Sequence, residues 1–339
     1  MVLFERIVEI PESDEIIDLA FRRARKAANK EVEGNPTRKA RVREKKRIRV
    51  SSQVIRDRLD RILNGFPDPE NLHPFNRKMI DILADENKIR RIRRSLNKSK
   101  EIIKKIEKEE IKKFGETQNP EKMTQVRNET YGRFSSVLNK LEDDLVYLKE
   151  TKDNLKDLPQ IDTEDYTVII AGHPNVGKST ILKNLTNASP RVASFPFTTR
   201  KIILGHFKIG WRKFQVMDTP GLLDRPYKEM SKPEKQVLNA LKELNSLIIY
   251  VFDPSEYCGF SKSEQIKLFK NLTNKFQNVD FITIINKEDI VLNQESITDT
   301  DLRENLENIG YPPKFLIAQS MKGINIKDLI EKYFKKLNN

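Results

Sequence analysis

Eight consecutive residues, Gly172, His173, Pro174, Asn175, Val176, Gly177, Lys178 and Ser179, hold the spacing G-x-x-x-x-G-K-S. These types suit the task of holding a chain of phosphates. The glycines let the backbone curl until successive N–H groups face phosphate oxygens. A helix opening around Thr180 adds the positive end of its dipole. Lys178 brings a point charge to the terminal phosphates, and the Ser179 hydroxyl is a ligand for Mg²⁺. The flanks agree: an apolar strand pattern runs from Thr167 to Ala171 and a helical one from Thr180 to Leu185.

Four later segments bear on which nucleotide is held. Asp218-Thr-Pro-Gly221 follows an apolar run ending at Met217. An aspartate at a strand end is placed to hold Mg²⁺ through water, and the Gly221 N–H to meet a γ-phosphate. Asn286-Lys287-Glu288-Asp289 follows another apolar run. A carboxylate there accepts two hydrogen bonds from N1 and N2 of guanine, a donor pair that adenine lacks. Ser320, Met321 and Lys322 follow the last apolar run and would support the base from its other side. Phe195-Pro-Phe-Thr198-Thr199-Arg200 supplies a hydroxyl that reaches Mg²⁺ only when a γ-phosphate is present. Each segment alone is a weak signal. Their order, each after a strand pattern, points to GTP and GDP with Mg²⁺.

Positioning these segments requires a sheet. Strands are expected at Tyr166–Ala171, Lys201–Ile209, Lys213–Met217, Leu247–Phe252, Asp280–Ile285 and Lys314–Ala318, with helices between most of them and a hairpin at Gly210. The fold class is therefore an α/β P-loop GTPase domain with a mostly parallel six-stranded sheet, preceded by an all-α helical bundle. The helical texture ends near Leu158-Pro159, placing a basic N-terminal domain over 1–160 and the GTPase domain over 161–339. Helices are expected from Ser13 to Lys30, Thr37 to Leu63, 75 to 97, 98 to 114, and Pro120 to Leu155. The last carries the stripe Phe134, Leu138, Leu141, Leu145 and Leu148.

The chain has 339 residues and a net charge of +13, of which +9 lies in residues 1–160. Arg38, Lys39, Arg41, Arg43, Lys45, Lys46, Arg47 and Arg49 crowd one helical stretch, and Arg90, Arg91, Arg93 and Arg94 form a second cluster. Between Arg38 and Arg58 only Glu44 and Asp57 oppose them. Such density suits phosphate contacts to structured RNA; a solvated basic helix is the alternative. The single cysteine, Cys258, excludes an intrachain disulfide and reads as a buried small side chain. The acidic N-terminus does not resemble a signal peptide, and no apolar run nears the ~20 residues of a membrane span. A cytoplasmic, monomeric protein without a membrane partner is expected. His73, His173 and His206 make no metal pattern, and Trp211 reads as packing or the edge of the hairpin turn.

With these motifs in place, the domain resembles the Obg-like branch of translation-factor-class GTPases. Three stretches narrow the likeness: Asp218 to Pro226, Asp253-Pro-Ser255-Glu256-Tyr-Cys258-Gly259-Phe260, and Phe195 to Arg200. They look like the nucleolar GTP-binding protein family, as do the basic N-terminal helices. The resemblance implies a switch in large ribosomal subunit assembly, with rRNA and ribosomal proteins as partners. It implies Lys178, Thr199, Gly221 and Asn175 as catalytic, with Thr199 on Mg²⁺ and Thr198 the alternative. Many GTPases carry a water-orienting glutamine where this chain has Leu222, which implies slow intrinsic hydrolysis. Several relatives coordinate K⁺ through the residue matching Asn175, implying K⁺ stimulation; a loop-stabilising Asn175 is the alternative. Eukaryotic members continue far past the GTPase domain, whereas this chain ends at Asn339, like the compact archaeal form. Two other readings stay open: a GTPase associated with RNA modification, and a nucleotide-gated RNA- or ribosome-binding module with negligible turnover.

Overall fold

In the N-terminal part, β-branched clusters are sparse and apolar residues recur at helical spacing, so the chain builds helices. The computed structural model describes residues 7–29, 33–156, 158–186, 190–194, 201–225, 227–287 and 326–337. The helices are α1 (Ser13–Ala28), α2 (Pro36–Gly65), α3 (Pro74–Leu83), α4 (Glu86–Lys113), α5 (Pro120–Asn139) and α6 (Glu142–Lys156). Start signals are local. The Asn35 side chain accepts from the Arg38 N–H with Pro36 opening the helix, and Asp85 accepts from the N–H groups of Asn87 and Lys88.

Two boundaries differ from the sequence expectation. The stretch from 75 divides at Ala84-Asp85, where Asp85 caps α4, and α4 then runs unbroken through 97–98. The expected single helix from Pro120 to Leu155 breaks at Lys140–Leu141. Lys140 closes α5, while Glu142, Asp143 and Asp144 fill the first turn of α6, the end that favours negative charge. The stripe survives the break: Phe134, Leu138, Leu141, Leu145 and Leu148 are all buried.

The chain forms two compact units. The helical one draws on residues 3–72 and 83–156; residues 73–82 group with the second, where Lys78 pairs with Glu243. The second unit holds β1 (Tyr166–Ala171), α7 (Lys178–Leu185), β2 (Arg191–Ser194), β3 (Lys201–Ile209), β4 (Arg212–Asp218), α8 (Lys232–Leu241), β5 (Ser246–Phe252), α9 (Lys262–Lys275), β6 (Asp280–Ile285) and α10 (Ile326–Leu337). Strand order is β2-β3-β4-β1-β5-β6. β4, β1, β5 and β6 pair in parallel, and β2 and β3 extend the sheet antiparallel. β2 was not expected. Four residues are too few for a periodic signal, and this edge strand is specified by pairing along β3, with Val192 left exposed. The expected strand at 314–318 lies outside the described residues.

The parallel strands are near-continuous apolar runs because both sheet faces are covered. Val168, Ile170, Phe214, Val216, Leu247, Ile249, Ile282 and Ile284 share one core with Ile181, Leu182 and Leu185 of α7 and Ile330 and Phe334 of α10. No helix among the described residues is long and apolar enough to cross a membrane.

Candidate functional site

β1 is flanked by β4 on one side and β5 on the other, so the order of the sheet reverses at its carboxyl end. Crevices at such switch points bind ligands in open α/β sheets. Four segments named from sequence leave the sheet at carboxyl ends: the loop after Ala171, Asp218 closing β4, Asp253 after Phe252, and Asn286 after Ile285.

The loop from Gly172 to Gly177 owes its shape to backbone angles that side chains resist. Gly172 has φ 137°, and a Cβ there would lie 2.6 Å from the Val251 carbonyl oxygen. Gly177 has φ 105° and closes against the Asn286 side chain. Asn175 sits at φ 62°, a left-handed value that asparagine tolerates. Val176 is fully buried beneath the loop while Pro174 and Asn175 are exposed. Thr180, in the first turn of α7, donates its N–H to the Gly177 carbonyl at 3.1 Å.

Lys178 lies folded over this loop. Its Nζ donates to the carbonyls of Gly172 and His173, each at 2.8 Å. Burial pushes the ammonium below the usual lysine range, against the pull of Asp218 and Asp224. His173 is buried too. Its ring stacks on Phe260 at 4.0 Å between centroids and faces the Glu264 carbonyl, and burial disfavours its charged form. It therefore supports the loop through packing.

The Ser179 hydroxyl donates to Asp218 Oδ2 at 3.0 Å. Asp218 is 1% exposed, and burial raises its pKa although Lys178 and Ser179 oppose the shift. Its other oxygen, Oδ1, is buried without a hydrogen bond. An orphaned carboxylate oxygen beside a serine hydroxyl and a desolvated lysine is costly unless a cation completes it. The pair fits Mg²⁺, with Ser179 as ligand and Asp218 acting through water. Leu222, two per cent exposed, points into the core.

At the far side, Asn286 Nδ2 donates to the Val176 carbonyl at 2.7 Å and so ties β6 to the phosphate loop. Lys287, at φ 59°, reaches Asp253 Oδ2 at 2.8 Å. Asp289, Thr198, Thr199, Ser320, Met321 and Lys322 lie outside the described residues.

Two family profiles cover this architecture. Residues 4–162 match the one described as NOG1 N-terminal helical domain, and residues 167–287 match 50S ribosome-binding GTPase. Nucleolar GTP-binding protein 1 of Eremothecium gossypii is 32% identical over 306 residues, covering 89% of this chain and 47% of that protein. The Kluyveromyces lactis protein of the same name is 36% identical over 248 residues, 73% of this chain and 38% of its own. An uncharacterised protein of Methanocaldococcus jannaschii is 34% identical over 290 residues, 85% of this chain and 81% of its own.

The chain belongs to the nucleolar GTP-binding protein family. It spans about half the length or less of the two fungal relatives. Its second unit carries a GTPase domain, the kind of domain that binds GTP and GDP.

For this family member, two site features escape sequence reasoning. Asp253 is fully buried; it accepts from the N–H groups of Ser255 and Cys258, each at 3.0 Å, and from Lys287. The motif around it was visible, but its partner Lys287 is 34 residues on. Asp224 accepts from the Gly221 N–H at 2.7 Å. Cys258 is buried, as expected, and burial raises its thiol pKa. Trp211 is exposed at the hairpin turn.

The basic residues divide. Arg38, Arg43 and Arg49 are exposed, and Lys39, Lys45 and Lys46 are half-buried. Arg41 donates to the Thr117 carbonyl at 2.9 Å, and Arg47 pairs with the buried Glu44, which Arg127 also meets. Arg90 pairs with Glu70 and Glu86, and Arg93 with Asp68. The two acids within the stretch are not the only ones to oppose it. Glu107 of α4 reaches Arg56, so acids from another helix neutralise part of α2. The second cluster largely holds the helical unit together, leaving Arg91 and Arg94 exposed.

Proposed function

We propose that this protein is a slow GTPase acting as a nucleotide-dependent switch in large ribosomal subunit assembly in the cytoplasm, as a monomer. One observation carries the chemical part: Ser179 and the orphaned Asp218 oxygen beside the desolvated Lys178. Family membership supports the biological part.

The residues divide the work. The loop N–H groups and the α7 N-terminus cradle the phosphates, and Lys178 offsets charge on the β- and γ-phosphates. Mg²⁺, when bound, neutralises charge developing between those phosphates. Thr199, or Thr198, and Gly221 sense the γ-phosphate. Asp289 selects guanine, with Ser320, Met321 and Lys322 behind the base. Leu222 is aliphatic and buried, so it orients no water, and intrinsic turnover is slow. That same burial favours a second reading, a nucleotide-gated ribosome-binding module with negligible turnover. Single-turnover hydrolysis with and without large subunits separates the two.

Asn175 stands exposed on the loop, where its side chain is able to help hold K⁺. Hydrolysis is expected to be about 10-fold or more faster in KCl than in NaCl, a modest share of what a charge-offsetting arginine supplies. Asn175→Ala should erase the difference. Equal wild-type rates in the two salts reject the role.

The partners are rRNA and ribosomal proteins of the large subunit or its precursor, met partly by Arg38, Arg43, Arg49 and their neighbours. Co-sedimentation with large subunits in a GTP analogue and in GDP, at two salt concentrations, tests the proposal. Tighter binding in one nucleotide, weakening with salt, is expected. Equal binding in both would count against a switch.

A further inference from the structure

The Gly221 N–H, the donor suited to a γ-phosphate, has a partner in the protein itself. It donates to Asp224 Oδ2 at 2.7 Å. The Gly221 carbonyl, one peptide unit on, accepts from Arg225 Nε at 3.0 Å. Arg225 in turn pairs with Glu234 at 2.6 Å. Glu234 is buried, and its second oxygen accepts from the Ser231 N–H at the start of α8. Asp224 lines one cavity with Gly221 and with His173 and Pro174 of the phosphate loop, so its carboxylate stands beside the loop that receives the phosphates.

One N–H cannot serve two anions, and like charges at hydrogen-bond range repel. GDP has no γ-phosphate and leaves the Asp224 bond intact. GTP must displace it. Space for the displaced carboxylate exists in an adjoining cavity of about 510 Å³ lined by His173, Gly221, Asp224, Arg225, Phe260 and Glu264.

We propose that Asp224 sets the preference between GDP and GTP, its carboxylate holding the place at the Gly221 N–H that the γ-phosphate takes. The bond is a built-in competitor for the third phosphate. Its release frees the Gly221 N–H, and Arg225, bonded to the Gly221 carbonyl and paired with Glu234, connects this residue to the start of α8. This inference rests on the reading of 172–287 as a guanine-nucleotide site.

The test is displacement of a fluorescent GDP from the full chain with Mg²⁺, by GDP and by a non-hydrolysable GTP analogue. It compares wild type, Asp224→Asn and Asp224→Ala, with melting curves to confirm folding. An amide of the same shape can turn its NH₂ toward phosphate, and alanine removes charge and acceptor together. In both variants the affinity ratio is expected to shift about 10-fold toward the analogue, equivalent to ~1.4 kcal/mol. Failure of wild type to bind guanine nucleotides sinks the underlying site. Normal GDP binding with an unchanged ratio, or one shifted toward GDP, overturns the role of Asp224 alone. Loss of single-turnover hydrolysis at unchanged analogue affinity also overturns it, marking Asp224 as a water-orienting group instead.

Discussion

Lys178→Ala is expected to weaken binding of a GTP analogue about 100-fold and to slow single-turnover hydrolysis by about 10²–10³, the range seen when one preorganised donor is removed. The size follows from where the ammonium sits. It is 8% exposed, and two loop carbonyls fix its nitrogen at 2.8 Å. A charge held in a dry cradle acts far more strongly on a phosphate than one in water. Arginine is not a substitute, because a planar fork does not bridge two carbonyls in a space shaped for a point charge. Calorimetric titration and quenched single-turnover reactions read the two effects. Binding within about threefold of wild type would show that Lys178 does not face the phosphates.

Asp253→Ala should cost about 3–5 kcal/mol of stability, the range for breaking a buried ion pair from one side. The residue is 0% exposed and, through side chain and backbone together, joins three elements. It fixes the turn after β5 through Ser255 and Cys258, and it anchors Lys287 beyond β6. Its backbone is held by Gln265 of α9, which accepts from the Asp253 N–H and donates to its carbonyl, both at 2.8 Å. Truncation removes the Asp253 counter-charge from the Lys287 side chain, which is only 23% exposed in the intact protein. A melting temperature lower by about 10 °C is expected for a unit of this size, with weaker guanine binding as Lys287 loses its post. Asp253→Asn keeps the acceptor geometry in part and should fall between. A melting temperature within 2 °C or so of wild type would contradict the ion-pair account.

The parts of the site legible from sequence are those whose chemistry is local. Gly172, Gly177, Lys178 and Ser179 declare a phosphate loop by spacing, and the apolar runs before Gly172 and Asp218 declare strands because parallel strands are buried on both faces. The β3–β4 hairpin followed from Gly210, which takes φ 58°. What stayed hidden depends on approach in space. Asn286 bracing the Val176 carbonyl joins residues 110 apart, and no periodicity records it. The Asp253–Lys287 pair is of the same kind. What ties α2 into the bundle was hidden in the same way: Glu107 pairs with Arg56 and Arg127 shares Glu44 with Arg47, and both partners belong to other helices. The break at Lys140–Leu141 escaped because the apolar stripe runs straight through it, and only charge at the two helix ends records it.

Base selectivity tests the central claim most directly. Isothermal titration of the full chain with GDP and with ADP, in Mg²⁺ at matched salt, compares two ligands that differ only in the base. A site that hydrogen-bonds N1 and N2 of guanine leaves its carboxylate unpaired against adenine, so GDP is predicted to bind about 10³-fold more tightly or better. Equal affinities, or tighter ADP, would contradict the assignment of a guanine-nucleotide switch to this chain.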